Sequence, residues 1–597
     1  MGLFQRAYET YCAMEREVGN YAEGKQPLAP VSHTVTAAQI VITLDREGRF
    51  LSAAEVPKTY GKIIIPVTQE SAGRTSAPAA HPLCEQLGYL CGTDAEKYQL
   101  YLTGLEKWNR SPWSHPKLQP ILNYVRSRNL LPDLLRGGLA ALDEKGKLKD
   151  EKKLVCWSVH DTESDAPPEC WRDKTLFRSF IDYYASVQEM PQDLCMISGT
   201  KTAIGEQHPK GVVPFYGNAK LISSNDRNGF TYRGRLEDER QAATVGYEVS
   251  QKAHAALRWL SANQGVLIGN RMFLCWSPQG VETKRAMLPL RPKDAAPCFR
   301  PSEYRRDLQL TLLGERERLP RDANAVIAAF DAATTGRLAV TYYAELPAAD
   351  LLQRLHDWDE SCCWFHGKFG VQSPWLKDIV DCAYGVQREQ KKTFFFETDE
   401  RVRGQQMQRL IACRVDCGRM PADILHRLVD RVSNPQAYDG ELWKKLLFVT
   451  CAVIQKYHAP MQKEELCMEW ELNRKDPSFQ YGRLLAAMER AEEDYYAASK
   501  EKRQTNAMKS LPMFKKTPMR VFERVNENLE SAYLPCLNDW QRDRYRRLRE
   551  EIMALLCACG SDLNAPLNEF YLVGYCLQRN AFFQKHEDNE MTELEEE

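Results

Sequence analysis

The sequence predicts an α+β protein: a mixed α/β N-terminal region with antiparallel strands, followed by an all-α C-terminal helical bundle. Three observations carry that prediction. Short β-branched runs bounded by turn residues crowd the chain before about residue 348. Beyond it, apolar residues recur at three-to-four spacing. And 597 residues are too many for one core, so about three to four domains are expected.

The opening "MGLFQRAYETYCAMEREV" reads as an amphipathic helix. "QIVITLD" and "GRFLSAAEV", joined by Arg46-Glu47-Gly48, read as a hairpin, and "GKIIIPV" as a further strand. Residues 94–110 and 117–136 read as helices, and "KKLVCWSV" as a strand. "RMFLCWS" and "RDLQLTLLG" read as strands, "ANAVIAAFDAA" as a helix and "GRLAVTYYAEL" as a strand. Helices follow, among them "ELWKKLLFVTCAVIQKY", "YGRLLAAMERAEEDYYAASKEK" and "WQRDRYRRLREEIMALLC". In the last, Trp540, Leu548, Ile552 and Leu555 are expected on one face, turning Arg542, Arg546 and Arg549 outward. The expected regions are 1–345 (mixed α/β), 346–460 (a helical linker domain) and 461–586 (a helical bundle). The last, 587–597, has seven Asp/Glu and is expected to be disordered.

Composition narrows the function classes. A net charge of −1 means that any anion site must be a local patch. No run of about 18 apolar residues and no leader pattern is present, so a cytoplasmic protein without membrane partners is expected. The 19 cysteines form no CxxC pair, which points to reduced thiols rather than a metal or disulfide framework. P-loop, GxGxxG, GxSxG and HExxH patterns are absent. His160, Asp161, Glu163 and Asp165 sit in a hydrophilic loop, and His356-Asp357 lacks the further ligands that a two-metal nuclease requires. No catalytic residue, metal or cofactor is expected.

Anion recognition remains. In "IIIPVTQESAGRTSAPAAHPLC" an apolar run led by Lys62 stops at a loop of small residues holding one guanidinium, Arg74, among Ser71, Thr75 and Ser76. The loop reads as a plain turn or as a nest from which Arg74 reaches a phosphate or base edge. A second patch sets Arg110 and Lys117 beside Trp108 and Trp113. A third holds Ser223, Ser224, Asn225, Arg227, Tyr232, Arg233 and Arg235, and residues 201–235 carry six Lys/Arg against two Asp/Glu. A fourth is the arginine row Arg542, Arg546 and Arg549, with 12 Lys/Arg against seven Asp/Glu over residues 501–550. Each has a bland reading beside it, a surface hairpin or a solvated helix face.

The segments "IIIPVTQESAGRTSAPAAHPLCEQLGYL", "CMISGTKTAIGEQHPKG", "NAKLISSNDRNGFTYRGR", "QAATVGYEVSQKAHAALRWL", "YGRLLAAMERAEEDYY" and "FYLVGYCLQR" together resemble one family. It is the large subunit of the type I-C (Dvulg subtype) CRISPR surveillance complex, Cascade. The resemblance implies a non-catalytic subunit beside the crRNA handle that reads the PAM in double-stranded target DNA, promotes R-loop formation and helps recruit the helicase-nuclease. Its implied partners are crRNA, target DNA, the backbone and handle-binding subunits, and a small subunit translated internally from the C-terminal part, starting at Met461 or Met468. That part would line a single-stranded track with its arginines, Tyr545 stacking on a base. The alternatives are a metal-dependent nuclease on the same DNA or a purely structural scaffold.

Overall fold

The computed structural model describes residues 2–595 except 58–61, 75–76, 162–164, 224–242, 282–285, 293, 335, 460–471, 502 and 561; it describes side chains as far as Phe582, those of 333 and 334 apart. The chain is α+β and forms two compact units. The first comprises Met1–Leu267, Arg271–Thr283 and Asp322–Ala348; the second comprises Ile268–Asn270, Lys284–Arg321 and Ala349–Glu597.

The first unit is built around the strand Ile40–Asp45, where Ile40, Ile42 and Leu44 are buried and alternate with half-exposed residues. That period of two is what a half-buried strand requires. It pairs antiparallel with Phe50–Glu55 as expected, and Gly48 supplies the left-handed turn position at φ +86°. Its other edge runs parallel to Leu154–His160, so the sheet is not purely antiparallel. A parallel pair needs a long crossover, and the helices Ala95–Asn109, Leu118–Arg126 and Leu130–Arg136 lie within it. The last two were expected as one helix; the chain breaks between them, with Arg128 at φ +57°. Beneath them Trp108, Trp157 and Tyr101 are fully buried, and Trp157 Nε1 and Tyr101 OH both donate to the Leu83 carbonyl, at 2.9 and 2.8 Å.

A separate antiparallel ladder joins His33–Thr36 to Ile63–Pro66. A further sheet aligns Arg271–Trp276, Asn324–Thr334 and Arg337–Pro347, all antiparallel. "ANAVIAAFDAA", expected as a helix, is its central strand. Ala325 to Phe330 are all buried, and a strand covered on both faces shows no alternation to read.

The second unit contains the opposite correction. "RDLQLTLLG" alternates like a strand but lies in the helix Pro301–Glu317, burying Tyr304, Leu308 and Leu312 and exposing Leu310. Pro301 at the first helical position, and Glu303 Oε2 accepting the Arg300 N–H at 3.3 Å, are its start signals. Strands also persist beyond 348, in the hairpins Trp364–Phe365/Val371–Gln372 and Val386–Gln390/Thr393–Glu397. Arg414 and Asp359 form an ion pair of 2.7 Å with both side chains 1% exposed.

The helix Pro477–Ser499 crosses the helix Phe570–Glu595 at two glycines. A Cβ on Gly482 would meet the Tyr571 carbonyl oxygen at 1.8 Å, and one on Gly574 the Phe479 oxygen at 2.0 Å. No larger residue permits that approach. The same C-terminal helix also meets the helix Gly440–His458 and the turn before it: Cys451 Sγ lies 3.5 Å from Cys576 Sγ, and Ser433 Oγ 2.6 Å from Tyr571 OH. The bundle expected to close by itself over 461–586 therefore shares its core with preceding residues. Its backbone stays helical to Glu595, through most of the tail expected to be disordered. Met461 and Met468 lie outside the described residues. No described helix is long and apolar enough to cross a membrane.

Candidate nucleic-acid interface

A cleft of about 550 Å³ opens in the first unit. Its walls are the ladder His33–Thr36/Ile63–Pro66, the short helix Gln69–Gly73 with Arg74 at its end, the loop 207–214 and one face of the helix Tyr247–Asn263. Gln251 and Arg258 stand seven residues apart on that helix, two turns on the same face. Lys62, Arg74, Lys210 and Arg258 all line the cleft, and among the described residues no Asp or Glu does.

These cations are held in different ways. Arg258 donates from Nη1 to Thr34 Oγ1 at 3.0 Å and from Nη2 to the Lys210 carbonyl; burial pushes its pKa down to about 10. Burial also lowers the pKa of Lys210, and Lys220, Arg74 and Arg258 lower it further, because like charges disfavour another proton. Lys210 Nζ donates to the Arg74 carbonyl at 3.3 Å. Exposed Lys62 donates to Gln26 Oε1 at 3.2 Å. Each of these is a positive charge with no carboxylate partner among the described residues. His81 and His208 are neutral: burial takes each down to about 4, and their Nδ1 atoms lie 2.9 and 2.8 Å from Ser71 Oγ and Ser250 Oγ. His208 Nε2 is buried without a partner. Gly73 matters locally, since a Cβ there would meet Gln207 Oε1 at 2.3 Å.

The expected lone guanidinium of Arg74 is corrected. Its Nη1 donates to Glu85 Oε2 at 2.5 Å and to the Ala79 carbonyl at 2.7 Å, and its Nη2 to Glu85 Oε1 at 2.8 Å. Tyr89 lies under it, 5.0 Å from the ring centre. Burial opposes its charge, yet the Glu85 hydrogen bonds and charge outweigh that and raise its pKa. Ser71 is buried and caps the helix: its Oγ accepts from Thr68 N at 2.9 Å, and its N–H donates to Thr68 Oγ1 at 3.1 Å. Lys62 is the candidate that does stand exposed on the cleft wall.

The second patch dissolves into core and rim. Lys117 is buried, with Nζ 2.6 Å from Asp173 Oδ2, and Trp108 is fully buried. Arg110 is exposed and lies 3.8 Å from Glu106. In the third patch Ser223 is half-buried, while Ser224, Asn225, Arg227, Tyr232, Arg233 and Arg235 lie outside the described residues, as do Thr75 and Ser76. In the fourth, the buried face of the helix Asp539–Cys557 is Tyr545, Arg549, Ile552 and Leu556, whereas Trp540 is 67% exposed. Arg549 turns inward onto Glu530 and Asn526, Arg546 pairs with Glu530 at 2.7 Å, and Arg542 pairs with Asp539. Tyr545, expected to stack on a base, is buried with its hydroxyl on Asp494.

Arg258, Gln251, Gln207 and Gln86 are not among the residues that the sequence alone points to, and Lys210 is there only as part of the positive segment 201–235. The seven-residue spacing of Gln251 and Arg258 was the available signal; the distant elements facing them had none. No group of three or more His, Cys, Asp or Glu among the described residues is arranged to hold a metal ion.

The first unit of this α+β chain thus carries a local positive patch, its cleft lined by no Asp or Glu among the described residues. Family comparison makes the chain a CRISPR-associated protein. It belongs to the family Cas_Csd1, CRISPR-associated protein, whose model matches residues 7–583. No curated protein matches the chain.

Proposed function

We propose that the chain is the non-catalytic large subunit of a type I-C RNA-guided interference complex. In this reading it recognises the PAM in double-stranded DNA, promotes duplex opening and R-loop formation, and helps recruit the helicase-nuclease. The observation that carries the reading is the cleft: four cations converge on a wall without a described carboxylate, in a chain whose net charge is −1. Where guide pairing reads the target, the protein needs only a small reading site and a grip on phosphates. Family membership supplies the CRISPR context. Arg542, Arg546 and Arg549, being paired within the protein, add less support to a single-stranded track than the number of arginines suggests.

The test assembles the full-length chain with crRNA and the other subunits and measures binding to duplexes with and without a PAM. Tighter binding to the PAM duplex, weakened by Lys62→Ala with Lys210→Ala, supports the reading. Binding without PAM dependence would favour the scaffold. DNA cleavage with Mg²⁺ by the purified chain, abolished by EDTA, would favour a nuclease.

A further inference from the structure

Resting on the DNA-binding reading above, we propose that the cleft distinguishes base sequence through the carboxamides of Gln86, Gln207 and Gln251, while Lys62 and Lys210 hold phosphates. An arginine reads a guanine edge by presenting two parallel N–H groups at once. Arg74 commits three of its five N–H groups to Glu85 and Ala79, and the Glu85 carboxylate is fully buried. Arg258 commits one N–H of each terminal nitrogen, to Thr34 and to the Lys210 carbonyl. Swinging either guanidinium round to a base edge would strain or break bonds to part-buried acceptors, a loss that the new contact must first offset. Those bonds fix both residues in the walls, Arg74 neutralised by Glu85 and Arg258 keeping its charge.

The amides differ. Gln26 and Gln69 are engaged, their Oε1 atoms accepting from Lys62 Nζ at 3.2 Å and from Gln207 N at 3.1 Å. Gln86, Gln207 and Gln251 line the same cleft, and their carboxamides make no hydrogen bond to another described residue. Each comes from a different element: the strand end Glu85–Gln86, the loop 207–214 and the helix Tyr247–Asn263. A carboxamide sets a donor beside an acceptor at the spacing of a base edge, and it is neutral, so it adds discrimination without adding non-specific affinity. No described carboxylate in the cleft competes for its N–H groups. Lysines, by contrast, are flexible point charges suited to phosphate and indifferent to the base.

The experiment uses the full-length chain in the assembled complex and a duplex library randomised beside the protospacer, with bound molecules selected and sequenced. Gln86→Ala, Gln207→Ala and Gln251→Leu are each expected to flatten the preference at one position by about 5- to 100-fold, leaving the salt dependence unchanged. Gln251→Asn, which shortens the arm but keeps the amide and the helix, is expected to retain part of the preference if its circular dichroism matches the parent. Lys62→Ala and Lys210→Ala are expected to weaken all library members alike and to lower the salt slope by about one each. Preferences that survive all three glutamine variants, while the lysine variants weaken binding, would overturn this inference and leave the proposed function standing. Lysine variants that change neither affinity nor slope, with no preference in the parent, would overturn both.

Discussion

Two basic regions of this protein differ in kind. The helix Asp539–Cys557 carries five arginines within eight residues, 542 to 549. The cleft draws Lys62, Arg74, Lys210 and Arg258 from segments almost 200 residues apart. On the helix, Arg542, Arg546 and Arg549 each meet a carboxylate, two of them sharing Glu530. In the cleft, among the described residues, Arg74 alone does. A run of charge along a helix is conspicuous and mostly neutralised, whereas charge assembled by tertiary structure is scattered in the sequence and left for a ligand.

The largest contrast between the two units is expected in acid. In the first unit burial holds His33, His81 and His208 at about 4 and His254 at about 3. In the second unit burial pushes down His366. These rings bind fewer protons folded than unfolded, so their contribution to stability is complete above the unfolded value of about 6.5 and is lost as pH falls below it. Between pH 7 and 5 each of the four should cost about 1–2 kcal/mol. Hydrogen exchange at pH 5 is expected to show the first unit opening before the second; simultaneous opening would break the contrast.

Removing a carboxylate from each region sharpens the comparison. Glu85→Gln leaves a half-buried Arg74 uncompensated at a fully buried site and should cost about 3 kcal/mol by denaturant unfolding. Glu530→Gln, from a side chain that is 35% exposed, should cost about 1 kcal/mol. Equal costs would mean that the two regions are built alike after all.

Binding comes next. Lys62→Ala with Lys210→Ala should lower affinity for target DNA by about tenfold or more and the salt slope by about two. Arg542→Ala with Arg546→Ala should change affinity less than about twofold, since those charges are already met. The reverse order, in a salt titration of the assembled complex, would restore the helix as the DNA track. Smallest of all, Arg110→Ala should leave stability within about 0.5 kcal/mol, its ion pair with Glu106 being 3.8 Å long at an exposed rim.

What could be read in the sequence followed from period. The hairpin at Gly48 and the helices after residue 400 carry their pattern locally, and both are found. "ANAVIAAFDAA" and "RDLQLTLLG" exchanged identities because one is covered on both faces and the other alternates by chance around its buried leucines. For the cleft, Lys62 was legible as an exposed lysine heading an apolar run. The pairing of Arg74 was not, because Glu85 lies eleven residues on, past Pro78 and Pro82. Lys117 and Arg549 were read as surface charge for the same reason: a partner distant in sequence, Asp173 or Glu530, draws them inward.

The glycine crossing bears on any shorter product of this chain. A polypeptide begun at Met461 or Met468 keeps Gly482 and Gly574, and so keeps the closest helix contact in the bundle. It loses Ser433, Trp443 and Cys451, which cover Tyr571, Tyr575 and Cys576 from the other side. Such a fragment would carry its own scaffold but a bare stripe along its last helix. It would behave as an adhesive part, self-associating as its concentration rises unless a neighbouring subunit takes the place of the missing helix.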